Sequence, residues 1–171
     1  MGAGILPACI HNGKLYFLFG KENIYNKTPG FGDFGGGQEK NETLYQTAIR
    51  EGSEELMGFI GDIKTITSYI KKGNYCIHCG TYAIYIFHYP YDSKLPIYFN
   101  NSISYFEKFL PKNIIKKYTC FEKTEIKWLT IDDIKKNKKQ FRRFLSQHIN
   151  TIINNQNEIK QFIENISLTK N

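Results

Sequence analysis

The chain is short of cysteine, of long apolar runs and of any leader-like start, and each shortage closes off a class of protein. Its four cysteines, Cys9, Cys76, Cys79 and Cys120, are too few and too scattered to frame a disulfide scaffold, which agrees with a reducing compartment. The longest apolar stretches, such as Tyr82 to Tyr89, fall well short of the ~20 residues that a membrane-spanning helix needs. The N-terminus lacks the charged start and apolar core of a secretory signal, and Leu6 stands where a myristoylation motif wants Ser or Thr. An intracellular, cytoplasmic, soluble protein is expected, with no membrane contact. No internal repeat is visible. Cys76-Ile77-His78-Cys79 resembles half of a zinc site, but it lacks a second close pair and its flanks read as strand, so core thiols are the default.

What is present suits one domain. The 171 residues, 41% apolar and 15% aromatic, are enough for a single sizeable core spanning 1–171, with 132–171 forming a helical C-terminal part. The formal net charge of +7 favours anionic partners such as nucleotides or RNA, or serves solubility alone. Lys, Asn, Ile and Tyr abound where Arg and Ala would serve, a bias expected of an AT-rich genome.

Two apolar runs, Gly4 to Ile10 and Leu15 to Gly20, flank an Asn12-Gly13 hairpin signal and predict opening strands. Glu22 to Gly37 reads as loop with a short strand near Phe31 to Phe34. Ile63 to Ile70, Asn74 to Tyr89 and Thr124 to Thr130 are rich in β-branched and aromatic residues and are expected to be strands. Asn100 to Tyr118 reads as one or two helices broken at Pro111, and Thr130 as the cap of a helix from Ile131. Phe141, Phe144, Leu145, His148, Ile149 and Ile152 recur at helical spacing, as do Ile159, Phe162, Ile163 and Ile166.

The stretch that carries chemistry runs from Gly36 to Gly58, GGQEKNETLYQTAIREGSEELMG. Gly35, Gly36 and Gly37 allow the backbone to approach a ligand closely, and Asn41 tolerates a left-handed turn. Thr43 with Gln46 forms a capping box, and Leu44, Ala48, Ile49, Gly52 and Leu56 form an apolar stripe. Glu51, Glu54 and Glu55 then lie within an arc of roughly 100° beside that stripe, Glu55 nearest the core and expected to be partly buried. Like charges at these spacings repel by about 0.2–0.5 kcal/mol per pair, so a hard cation among them is the simplest relief.

These residues resemble the signature of the Nudix hydrolases, G-x5-E-x7-R-E-U-x-E-E-x-G-U with U apolar. Gly36, Glu42, Arg50, Glu51, Glu54 and Glu55 match it in type and spacing. Gly52 departs from it by standing where an apolar side chain is usual, which predicts close packing of another backbone there. Met57 takes the glycine position with Gly58 one residue late, which predicts an extra residue before the helix stops. Glu125-Ile126-Lys127-Trp128 resembles the last strand of many such domains. The resemblance implies an α/β fold, a Nudix-type α/β/α sandwich with a mixed sheet and a C-terminal helical extension. It further implies hydrolysis of a diphosphate linkage in a nucleoside diphosphate-X substrate with Mg2+ or Mn2+. On this reading Glu51, Glu54, Glu55 and the backbone of Gly36 face the metal, and Arg50 pins a neighbouring carboxylate or the glycine loop. The general base is a helix glutamate or a distal carboxylate, Glu122 or Glu125.

Alternatives stay open beside that reading. The carboxylates could be a solvated face, or the domain a weak or inactive module that binds RNA or nucleotides. Lys135, Lys136, Lys138, Lys139, Arg142 and Arg143 form a basic run able to follow a phosphate backbone, or a solvated helix face. Tyr16, Phe17, Tyr82, Tyr85 and Phe87 are candidates to stack a nucleobase, although strand aromatics more often fill a core. His11, His88 and His148 read as structural. RNA cap removal, known of Nudix decapping enzymes carried by large DNA viruses, is one compatible substrate class. The Pro-Lys-Gly lead-in typical of eukaryotic decapping and diphosphoinositol enzymes is replaced by Asp33-Phe34-Gly35-Gly36, and no separate RNA-binding domain is present. Nothing in the sequence speaks to oligomeric state.

Overall fold

Strand β1 (Gly2–His11) is buried along nearly its whole length and pairs with three others, so the fold is organised about it. Asn12 and Gly13, both with positive φ (48° and 72°), make the tight turn that returns the chain into β2 (Lys14–Glu22), antiparallel to β1. β3 (Phe31–Gly32) adds to β2, and β4 (Phe34–Gly37) pairs antiparallel with the first half of β1. β6 (Tyr82–His88) runs parallel to β1, β5 (Tyr75–Cys79) closes that edge, and β7 (Lys123–Thr130) pairs antiparallel with β2. Among the described residues the mixed sheet has seven strands. The computed structural model describes residues 1–23, 26–117 and 121–168, without the side chains of 116 and 117, so Cys120 and Tyr118 lie outside the described residues.

The two faces of the sheet bury two separate cores. Ala3, Ile5 and Cys9 of β1 and Ala83 and Phe87 of β6 point to one side, where α1 (Leu44–Glu55), α2 (Ile63–Lys71) and α3 (Leu95–Phe109) cover them. Leu6, Ala8, Phe17, Ile84 and Ile86 point to the other, under α5 (Ile131–Lys136), α6 (Ser146–Asn154) and α7 (Gln156–Leu168). Alternation with period two thus yields a layer on each side, the expected α/β/α sandwich with a helical C-terminal part. Burying each Phe, Ile or Leu side chain contributes about 1.5–3 kcal/mol, which fixes both layers on the sheet. A short α4 (Lys112–Lys117) follows Pro111, as expected of a break there.

Four local expectations need correction. Ile63 to Ile70 is a helix, not a strand: Asp62 caps it by accepting from the Thr65 N–H, and Ile63, Ile66 and Ile70 keep helical spacing with the last two buried. The β-branched composition misled; the period was helical. Asn74 to Tyr89 is a hairpin of two strands turning at Gly80, whose φ is +61°. Phe141 is not in a helix. It forms a β-bridge to Phe31, and α6 begins only at Ser146 after two 3-10 turns. Cys76 is exposed and Cys79 half-buried on β5, so among the described cysteines only Cys9 is a fully buried core thiol.

Candidate active site

Thr43 and Gln46 start α1 with the reciprocal hydrogen bonds of a capping box, and Asn41 takes the left-handed turn before it (φ 70°). Ala48, Ile49 and Gly52 face the sheet. A methyl at Gly52 would collide with Cδ1 and Cγ1 of the Ile5 side chain, so what approaches is a side chain and not the expected backbone. The helix ends at Glu55 with no extra residue. Met57, at the motif's glycine position, itself takes the left-handed conformation (φ 49°), followed by Gly58 (φ 78°).

Two cations flank the carboxylates of this helix. Arg50, on its outer side, donates from Nε to Glu42 at 2.7 Å, from Nη1 to Glu51 at 3.0 Å and Glu54 at 3.2 Å, and from Nη2 to the Gly37 carbonyl at 3.0 Å. One side chain thus joins three carboxylates to the last residue of β4. Hydrogen bonds from Arg50 hold Glu42 at a pKa of about 2. On the inner side, Glu55 is buried: its Oε2 accepts from the Gly35 N–H at 2.8 Å, and its Oε1 lies 3.2 Å from Lys123 Nζ.

Lys123 is fully buried on β7 and also pairs with the buried Glu22. Glu22 in turn accepts from Arg142 at 2.6 Å and from Asn26 at 2.7 Å. Arg142 is fixed further by Thr28 Oγ1 at 2.7 Å, so this member of the basic run is not a solvated charge. Asp33 completes the cluster. Its Oδ2 accepts from the Tyr82 hydroxyl at 2.9 Å, while its Oδ1 is buried without a partner among the described residues. Burial pushes Asp33 up to about 6 against the pull of Lys123, and burial raises Glu55 well above the usual carboxylate range although Lys123 opposes it. Burial also works against the charge of Lys123, but the Glu55 and Glu22 carboxylates outweigh it and hold the ammonium above its ordinary pKa.

Glu51, Glu54 and Glu55 open with Glu122 onto one cavity of about 180 Å³, walled by Met57 and Phe121. Both wall residues have positive φ (49° and 63°), a conformation that costs of order 1–3 kcal/mol outside glycine and collects at functional sites. Asn23 secures the far wall, donating its N–H to the Glu122 carbonyl at 2.8 Å and its amide to Phe121 O at 3.3 Å. Burial raises the pKa of Glu51 despite Arg50, with the charges of Glu54 and Glu122 adding to the rise. The Gly36 backbone lies against the same group: a methyl there would overlap the Glu51 carboxyl.

Of the sequence candidates, Glu51, Glu54, Glu55 and Glu122 share this cavity, with Arg50 and Gly36 beside it. Glu125 does not line it and sits 3.6 Å from Lys21 on the β2–β7 surface. Among the described residues, no three His, Cys, Asp or Glu side chains converge closely enough to hold a metal ion as arranged, and the charges that relieve the carboxylates belong to Arg50 and Lys123. The donor set, all carboxylate oxygen with a glycine backbone alongside, nonetheless fits a hard divalent ion, since Glu54 is 61% exposed and Glu122 is exposed as well. Sequence reasoning missed Lys123, Glu22, Arg142 and Asp33. Among the aromatic candidates, Phe17 and Phe87 are core, Tyr16 packs on His11 and Tyr91, Tyr85 meets Tyr45, and Tyr82 is held by Asp33.

No protein-family model and no curated protein sequence matches the chain. Solved structures do. An Ap4A hydrolase from C. elegans, in a binary complex, is similar at a TM-score of 0.51 and 16% identity, over 89% of this chain and 95% of that one. The Nudix hydrolase RenU from M. smegmatis is similar at a TM-score of 0.53 and 12% identity, over 93% and 87%. With the mixed sheet between two helical layers and the glycine-led carboxylate helix on one face, these likenesses give the architecture its name: the chain has the Nudix fold.

Proposed function

We propose that the chain is a divalent-metal-dependent pyrophosphohydrolase that cleaves a diphosphate linkage in a nucleoside diphosphate-X compound. The observation that carries this reading is the shared cavity: three glutamates of one helix and Glu122 from the turn before β7 face a common space beside the Gly35–Gly37 backbone. The similar structures named as an Ap4A hydrolase and a Nudix hydrolase support the reaction class, and Ap4A is itself a nucleoside linked through phosphates.

Glu51, Glu54 and Glu55, with the Gly36 backbone, are the groups that would hold Mg2+ or Mn2+. Such an ion supplies charge neutralisation for the diphosphate oxygens and lowers the pKa of bound water. Arg50 keeps Glu51 and Glu54 turned toward the cavity and anchors them to the glycine loop through Gly37. Lys123 and the Gly35 N–H hold both oxygens of Glu55, so this carboxylate is set before any ligand arrives. Glu122, which lines the same cavity, is on this reading the distal carboxylate that takes a proton from water, whereas Glu125 pairs with Lys21.

A second reading has one observation in its favour. Arg50 and Lys123 already counter the carboxylates, which suits a module that binds nucleotides or RNA without turnover. Purified protein with Mg2+ or Mn2+ and a panel of dinucleotide polyphosphates, nucleoside triphosphates, ADP-ribose and capped RNA separates the two. Hydrolysis of at least one compound is expected, lowered about 100-fold or more in Glu54→Gln with the fold retained. Binding with no product, indifferent to Glu54→Gln, overturns the enzyme in favour of the module.

A further inference from the structure

A second cavity lies away from the carboxylates, shares no lining residue with theirs, and is basic. Between the 3-10 turns and α6, a space of about 400 Å³ is rimmed by Lys138, Lys139, Arg142 and Arg143 and floored by Phe141 and Ile149. Ser146 and Asn150 add a hydroxyl and an amide. None of its lining residues is acidic, and no Asp or Glu occurs between Asp133 and Glu158. Six of the chain's cations fall within 135–143, so this segment alone supplies a charge of +6 against the whole chain's +7.

The four rim cations are not alike. Arg142 is spent on Glu22 and Thr28 and lies over the Phe144 ring at 4.7 Å, which makes it a fixed wall. Lys138 bonds the neutral Asn150 at 3.0 Å, and neither Lys139 nor Arg143 makes an ion pair among the described residues. Concentrated, uncompensated positive charge at a concave site focuses field lines and draws in anions. The volume is that of a small-molecule pocket and exceeds what a bare inorganic anion fills, and the apolar floor favours a ligand carrying a flat or apolar body beside its charge.

We propose that this cavity is a second, phosphate-directed site that takes a nucleotide, either free or as one residue of a single-stranded RNA. Phosphate oxygens meet Lys138, Lys139 and Arg143, and the nucleoside lies toward Phe141, Ile149 and the polar groups of Ser146 and Asn150. The site stands independently of the reaction proposed for the carboxylates.

The test uses the full chain at low salt without divalent metal, and three probes: inorganic pyrophosphate, ADP, and an uncapped 5′-fluorescein 12-mer RNA. The paired variant Lys139→Glu with Arg143→Glu alters only exposed side chains. Expected is RNA or ADP binding that weakens about 10-fold or more in the paired variant and is unchanged in Glu54→Gln, with pyrophosphate weaker than either. For RNA, the salt dependence should fall by about two phosphate contacts in the paired variant. Binding of RNA without ADP identifies an extended strand as the occupant; ADP that binds and displaces RNA identifies the nucleotide. No binding of any probe, binding indifferent to the paired variant, or binding lost equally in Glu54→Gln overturns the site. Loss of the hydrolytic reading alone would show instead as a panel with no product, leaving these affinities as expected.

Discussion

Arg50 and Lys123 perform the same electrostatic task from opposite sides of α1 and by different physics. Arg50 is one-fifth exposed and binds Glu42, Glu51 and Glu54 in a fan of local contacts one to eight residues away. Lys123 has no exposure at all and reaches Glu55 and Glu22 from 68 and 101 residues further along the chain. At the outer site water still screens each charge, so each pair contributes modestly. At the inner site, once desolvated, each charge depends on its partners, and losing one leaves the rest stranded. The contrast separates a region that tunes carboxylate orientation from one on which folding itself depends.

The sharpest way to break the contrast is Lys123→Met. Stranding Glu55 and Glu22 in a dry site is expected to cost about 3–5 kcal/mol in denaturant unfolding, with partial recovery in Lys123→Met combined with Glu55→Gln. A loss below about 1 kcal/mol would show that the inner pair is no more demanding than the outer.

Next in size is a pH effect of the same buried cluster. Asp33 titrates near 6 when folded against an ordinary value near 4, so the folded chain keeps a proton that the unfolded chain releases between those values. Stability of the metal-free protein therefore falls as pH rises through that window, and Glu55, also raised, acts in the same direction. Asp33→Asn is expected to flatten this fall. Glu42 has the opposite sign: its stabilising effect is lost as pH drops from about 4.5 toward 2. Melting curves from pH 2 to 8 in EDTA check both arms; an unchanged slope in Asp33→Asn would remove Asp33 as its source.

The smallest effect belongs to the outer cation. Arg50→Lys keeps the charge but loses the planar fork, so melting should fall by only a few degrees at low salt, and the difference should shrink at 1 M salt. The deficit in Lys123→Met should persist there. Equal salt sensitivity in both variants would erase the distinction between the two sites.

What the sequence showed follows the same division. The capping box, the carboxylate arc, the turn at Asn41 and the anchoring role of Arg50 were legible because every contact lies within about a dozen residues along the chain. Lys123 was not. Where β2 meets β7 the register slips between Lys21 and Glu22, pairing Lys21 with Glu125 and Glu22 with Lys123, and this bulge turns a lysine into the core with no mark in its neighbours. The regular register before the slip leaves Glu125 with Lys21, while the turn at Phe121 brings Glu122 to the cavity, a choice that spacing could not make. At 63–70 side-chain type and period point to different elements, and burial of Ile66 and Ile70 follows the helical period.

The position of β1 carries a consequence for how the molecule is made. Its first ten residues form an apolar ribbon whose parallel neighbour, β6, lies about eighty residues downstream. During synthesis that ribbon leaves the ribosome long before its partner exists, and the hairpin with β2 covers only one edge of it. Contacts so distant in sequence are slow to close. The interval in which the newborn chain has that edge bare is therefore its period of greatest exposure to aggregation, and a chaperone or rapid completion of residues 82–88 would shorten it.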